Sequence, residues 1–162
     1  MTKKDIPFTI EVYATDSELT AADAFLLNAA REATKNAYAP YSSFYVGAAA
    51  MLQNGQLVTG TNQENASYPV TICAERTLLS AVAVQYPGQP VMSMAISYHN
   101  GKGTSKQPIS PCGICRQTLV EYEERTQTPI RLILGGAEGE VFIIKSARLL
   151  LPLSFTATDL LQ

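Results

Sequence analysis

Three cysteines and one glutamate offer the clearest chemistry in this sequence. Cys112 and Cys115 form a Cys-x-x-Cys, and Cys73 lies upstream with Glu75 two residues after it. Residues three apart on a helix share a face, so the sulfurs of Cys112 and Cys115 can point at one object. Alone, the pair fits a redox couple, half of a zinc site, or two small buried residues. Cys73 shifts the balance. Read as opening one helix, with Cys112 and Cys115 at the start of the next, it places all three thiols at helix N-termini. The positive dipole ends there favour thiolate, the form that binds metal. Three protein ligands leave a fourth tetrahedral position free, the arrangement of a catalytic zinc.

Glu75 does not share the face of Cys73 at ideal helical geometry. Near the helix end it still reaches a water held at such a metal, where a carboxylate can take a proton and deliver it elsewhere. The competing interpretation is an exposed first-turn glutamate favoured by the helix dipole. Three thiolates and Zn²⁺ sum to a net negative centre. Arg76 and Arg116, each just past a ligand, are candidates to offset it by hydrogen bonding to sulfur. An odd number of cysteines cannot pair fully within one chain, so no disulfide framework is expected. His99, the only histidine, reads as a surface loop residue rather than a fourth ligand.

The elements that must position these groups are legible in outline. Residues 1–19 form an arm, in which Phe8, Ile10 and Val12 alternate with polar residues as in a short edge strand; residues 20–162 form one domain. Thr20 with Asp23 resembles a capping box opening a helix from Ala21 to Ala37. Tyr45–Leu52 and Leu57–Gly60 flank Asn54-Gly55, which predicts a hairpin whose two central residues both take positive φ. A second helix runs over Cys73–Val84. A strand follows over Val91–Tyr98, and then a Gly-, Ser- and Lys-rich loop. Ser110 as N-cap and Pro111 at the first position open a third helix reaching Glu124. Strands at Ile130–Leu134 and Val141–Lys145 and a short turn over Thr158–Leu161 complete the chain. Glu121, Glu123 and Glu124 read as the solvated side of a helix end. The alternation implies an α/β fold, a three-layer α/β/α arrangement with a mixed sheet of about five strands.

These motifs resemble the zinc nucleoside deaminases in their all-cysteine form. Cys73-Ala74-Glu75 and Pro111-Cys112-Gly113-Ile114-Cys115 carry the signature. Ala39–Phe44, Val46–Ala49, Gly60–Tyr68, Ser110–Gln117 and Leu150–Phe155 are similar to the small homotetrameric type of cytidine deaminase. The resemblance implies one Zn²⁺ per subunit on Cys73, Cys112 and Cys115, with Glu75 shuttling protons in the hydrolysis of cytidine, and of deoxycytidine, in pyrimidine salvage. It also implies that Asn62 and Glu64 bind the sugar hydroxyls and that Phe44 lies beside the ligand. The backbone at Ala74 and Ser110 would read the base, and Phe155 would reach the base of a neighbouring subunit in a homotetramer with shared sites. Two alternatives stand beside this: a deaminase of another cytosine-type nucleoside such as blasticidin S, and a non-catalytic zinc scaffold.

Composition narrows the partners. The 162 residues carry a net charge of −2, without the basic footprint that polynucleotide binding requires. No apolar run is long enough to span a bilayer, and the first residues lack a signal-peptide core. A cytoplasmic protein acting on a small nucleoside, with no nucleic-acid or membrane partner, is the expectation.

Overall fold

The computed structural model describes residues 1–160. Six strands form one mixed sheet in the order β1-β6-β5-β4-β2-β3. In chain order these are β1 (Glu11–Tyr13), β2 (Phe44–Leu52), β3 (Leu57–Thr61), β4 (Val91–Asn100), β5 (Arg131–Gly135) and β6 (Val141–Ile144). The helices are α1 (Ala21–Ala33), α2 (Ala74–Gln85) and α3 (Gly113–Thr126). β4 and β5 pair in parallel across the α3 crossover, and the remaining pairs are antiparallel. The strand beyond the expected five is the arm: Glu11–Tyr13 pairs with Val141–Ile143 and extends the sheet edge.

Period-two burial divides the core into two layers. Ala49, Ala95, Ile133, Val141 and Ile143 meet Leu26, Leu27 and Ala30 of α1. On the opposite face Ala48, Ala50, Met94, Ile96, Leu132 and Leu134 meet Leu78, Leu79 and Val82 of α2 and Leu119 and Tyr122 of α3. Helices therefore cover both faces, as expected. The layer under α2 fixes the height of its first turn. A Cβ on Gly60 would stand 2.5 Å from the Leu78 nitrogen and 2.6 Å from the Ala74 carbonyl oxygen, so only glycine lets the turn after Cys73 lie flat on β3.

Several boundaries differ from expectation for local reasons. α1 stops at Ala33, and residues Thr34–Asn36 tighten into a 3₁₀ turn after the Thr34 hydroxyl donates to the Arg31 carbonyl. In the hairpin only Gly55 takes a positive φ, +83°. Gly55 N–H closes on the Leu52 carbonyl and Leu52 N–H on that of Gln56, giving a longer loop than the two-residue turn expected. α3 starts two residues later than expected: Cys112 is the N-cap with extended backbone, and Ser110 and Pro111 lie in the approach. His99 belongs to β4 rather than a loop, stacked near Tyr45 and away from the cysteines. The terminal 3₁₀ turn spans Ala157–Leu160, and Leu161, part of the expected turn, lies outside the described residues.

Glu123 is not solvated. It is buried at the end of α3 and accepts from Ile130 N–H at 2.7 Å, Ala147 N–H at 2.9 Å and the Ser146 hydroxyl. It thereby ties α3 to the start of β5 and to the chain after β6. The capping box at α1 is half formed. Asp23 N–H donates to Thr20 Oγ1, but the Asp23 carboxylate accepts from that hydroxyl and from both terminal nitrogens of Arg131.

Burial raises the Asp23 pKa, and Arg131 and Thr20 outweigh it, leaving the carboxyl below its ordinary value. A folded-state pKa below the unfolded value of about 3.9 adds stability above that pH and loses it as pH falls through and below it. Asp23→Asn is expected to cost about 1–3 kcal/mol at pH 7, as for a charged hydrogen bond. The gap from wild type in urea midpoint should narrow at pH 3; a gap independent of pH would contradict this.

Candidate active site

Two helix N-termini meet at the ends of β3 and β4. Cys73 caps α2, while Cys112 caps α3 and Cys115 lies in its first turn. Both N-caps are extended (ψ 156° and 169°) and neither side chain caps its own helix, so their sulfurs are free to turn toward each other. Zinc–sulfur bonds of about 2.3 Å at tetrahedral angles set sulfurs about 3.8 Å apart. The Cys73–Cys112 separation is 3.8 Å and the Cys112–Cys115 separation is 3.6 Å, and all three sulfurs lie within 4.8 Å of one another. The donor set fits a zinc ion with three protein ligands and one open position. As free thiols the three lean on one another. The Cys115 thiol pulls Cys73 down to about 6 against the opposing effect of burial, and that same contact pushes Cys115 up.

Glu75 is the expected companion. Its side chain is only 5% exposed, and desolvation pushes its pKa up, opposed by its own backbone N–H, Cys115 and the charge of Arg76. The first-turn glutamate is therefore not a solvated dipole partner. It lines a cavity of about 190 Å³ together with Cys73, Cys112, Ala74 and Asn62.

The other expected residues distribute unevenly. Asn62 lines the cavity, but its amide is engaged by β2: Oδ1 accepts from Val46 N–H at 2.8 Å and Nδ2 donates to the Phe44 carbonyl at 2.9 Å. One Nδ2 hydrogen remains for another acceptor. Glu64 stands outside the cavity lining, where its Oε2 accepts from Tyr41 and Ser42 N–H. Phe44 also stands outside, stacked on Tyr98 at 4.8 Å. Phe155 is 59% exposed and its carbonyl accepts from Gln117. Arg116 turns from the sulfurs: Nε donates to the Pro111 carbonyl and Nη1 to that of Leu150, pinning the approach to Cys112 against the C-terminal segment. Among the described residues Arg76 donates no hydrogen bond to sulfur, although its charge acts on Cys73 and Glu75.

Sequence reasoning missed Thr71, Ile72 and Ile109, which line the cavity beside Ser110. Each lies within three residues of a ligand, on the extended stretch leading into a helix, and that proximity is the signal that could have found them. The Thr71 hydroxyl oxygen accepts from Asn65 N–H at 3.1 Å, so it also braces the loop carrying Asn62 and Glu64.

Known proteins resemble this chain in sequence and fold. A family model for the cytidine and deoxycytidylate deaminase zinc-binding region matches residues 20–128. A cytidine deaminase of Halalkalibacterium halodurans is 38% identical across 83% of this chain and 95% of its own. Another, from Sporosarcina psychrophila, is 34% identical across 83% of this chain and 92% of its own. The crystal structure of the cytidine deaminase from Burkholderia pseudomallei superposes with a TM-score of 0.69 at 38% identity, covering 85% of this chain and all of that one.

Proposed function

We infer the reaction from the premise that this chain belongs to the cytidine and deoxycytidylate deaminase family: it hydrolyses cytidine to uridine and ammonia. The observation that carries this conclusion is a buried carboxylate, Glu75, sharing one small cavity with Cys73 and Cys112, two of three convergent thiols. Cys73, Cys112 and Cys115 hold the zinc. When bound, the ion supplies a Lewis acid that makes a water nucleophilic near neutral pH. Glu75 takes a proton from the attacking water and gives it to N3 of the cytosine ring as C4 is attacked. A second proton passes through Glu75 to the amino nitrogen, which leaves as ammonia. A carboxyl whose pKa is raised by burial suits both duties.

The contacts to substrate are proposals in the same frame. Asn62 and Glu64 engage the sugar hydroxyls, the backbone at Ala74 and Ser110 reads the base, and Phe44 packs behind the ligand. Phe155 serves the site of a neighbouring chain in a homotetramer. Two observations support a shared site. Tyr68, Val70 and Ile114, each within five residues of a cysteine of the cluster, and Phe155 present large apolar side chains to solvent. The cavity of about 190 Å³ is also smaller than the ~300–1,000 Å³ usual for small-molecule sites, as expected if another chain completes it. Three thiols reserved for metal suit a reducing compartment, the cytoplasm. Among the described residues no helix is long and apolar enough to cross a membrane.

The test is ammonia and uridine release from cytidine, with deoxycytidine and blasticidin S in parallel, by the zinc-loaded protein. Turnover of cytidine is the expected result. A folded, zinc-loaded protein that deaminates only blasticidin S, or nothing, would overturn the assignment.

A further inference from the structure

We propose that Lys102, carried on the turn Gly101–Ser105, is a positioning residue that fixes Glu64 for the sugar hydroxyls of the substrate. This rests on the reading above that Glu64 binds the sugar. A chain of contacts links the two residues. Gly101 N–H donates to the Ser43 carbonyl at 2.8 Å, an approach so close that a Cβ on Gly101 would stand 3.2 Å from that oxygen. Asn100 shapes the turn from within, accepting from Lys102 N–H on its side chain and from Gly103 N–H on its carbonyl. The Lys102 ammonium then reaches the Tyr41 carbonyl at 3.5 Å. Tyr41 and Ser42 are the two residues whose backbone N–H groups hold Glu64 Oε2, at 2.9 and 3.3 Å.

The Tyr41–Ser43 turn needs such support. Ser43 holds a φ of +60°, a left-handed conformation uncommon outside glycine, which neighbouring contacts must maintain. With both backbone donors on Oε2, Oε1 is free of backbone partners and available to a hydroxyl. The charge of Lys102 also acts favourably on the Glu64 carboxylate. Desolvation raises the Glu64 pKa, but the Ser42 side chain, the Tyr41 and Ser42 N–H groups and Lys102 together bring it below its usual value. The Gly-, Ser- and Lys-rich loop before α3 is thus a remote brace for substrate binding.

The experiment measures kcat and KM for cytidine, and the inhibition constant of competing 2′,3′-dideoxycytidine, which lacks the 2′- and 3′-hydroxyls. The proteins are wild type, Glu64→Ala, Lys102→Ala and Lys102→Arg, each zinc-loaded. Glu64→Ala should weaken cytidine and spare the dideoxy ligand. Lys102→Ala should raise KM for cytidine about two- to fivefold, the scale of an exposed charge contact, with kcat nearly constant and the dideoxy constant unchanged. Lys102→Arg should restore KM, and melting temperatures should not move. If Glu64→Ala discriminates between the ligands but Lys102→Ala behaves as wild type, or weakens both ligands alike, the role of Lys102 is overturned. If Glu64→Ala itself fails to discriminate, the sugar-binding reading beneath it falls instead.

Discussion

Replacing Glu75 with glutamine lowers kcat about 10²–10⁴-fold, the usual contribution of a positioned general acid and base, while zinc content and fold stay as in wild type. The separation of these effects follows from the site. The carboxylate is not among the three sulfurs that fit the metal, so its charge is dispensable for holding zinc. Glutamine has nearly the same volume, so the core packing of Leu78 and Leu79 one turn further along α2 is preserved. What the amide cannot do is accept a proton from water and return it to the ring nitrogen and the amine. Single-turnover rates with cytidine, paired with metal analysis of the same sample, decide the point. A variant with full zinc and near wild-type kcat would remove Glu75 from the proton path. A variant that had lost its zinc would show that the buried charge serves the metal instead.

The convergence of Cys73, Cys112 and Cys115 was legible because their residue type and spacing mark a shared metal set. The layers were legible for the same reason: alternation such as Met94, Ala95 and Ile96 sorts side chains to opposite faces of the sheet without tertiary knowledge. What failed needed partners distant in sequence. Glu123 reads as a surface acid until Ile130 and Ala147 bring their N–H groups to it. Asp23 leaves its capping role because Arg131, 108 residues away, offers a stronger partner. The start of α3 slipped because Ser110-Pro111 is a good local cap signal, but Cys112 must itself stand at the N-cap if its sulfur is to face Cys73. Of the residues that line the cavity without conspicuous chemistry, Thr71, Ile72 and Ile109 carried no signal except adjacency to the ligands, and Val46, on β2, lacked even that.

Cys112→Ala should yield a folded protein without zinc and with activity lower by about 10³-fold or more, since the Lewis acid supplies several kcal/mol of transition-state stabilisation. Cys112 is the cleanest ligand to remove because it is exposed, whereas Cys115 is fully buried and its loss would also leave a cavity in the core. Survival of the fold is the discriminating part of the prediction. Small zinc domains unfold without metal because little else holds them. Here two hydrophobic layers on either side of a six-stranded sheet form without the site, and the α2–β3 contact at Gly60 fixes the first turn of α2 by sterics alone. The far-ultraviolet circular dichroism of the variant should match wild type. Its stability should fall by what metal binding contributes through linkage, about 4 kcal/mol at a thousandfold excess over Kd, and its melting temperature should fall with it. A variant that is unfolded would show that the metal organises the two helix starts rather than occupying a site they already form. A variant that keeps its zinc and its turnover would mean that Cys112 is not a ligand.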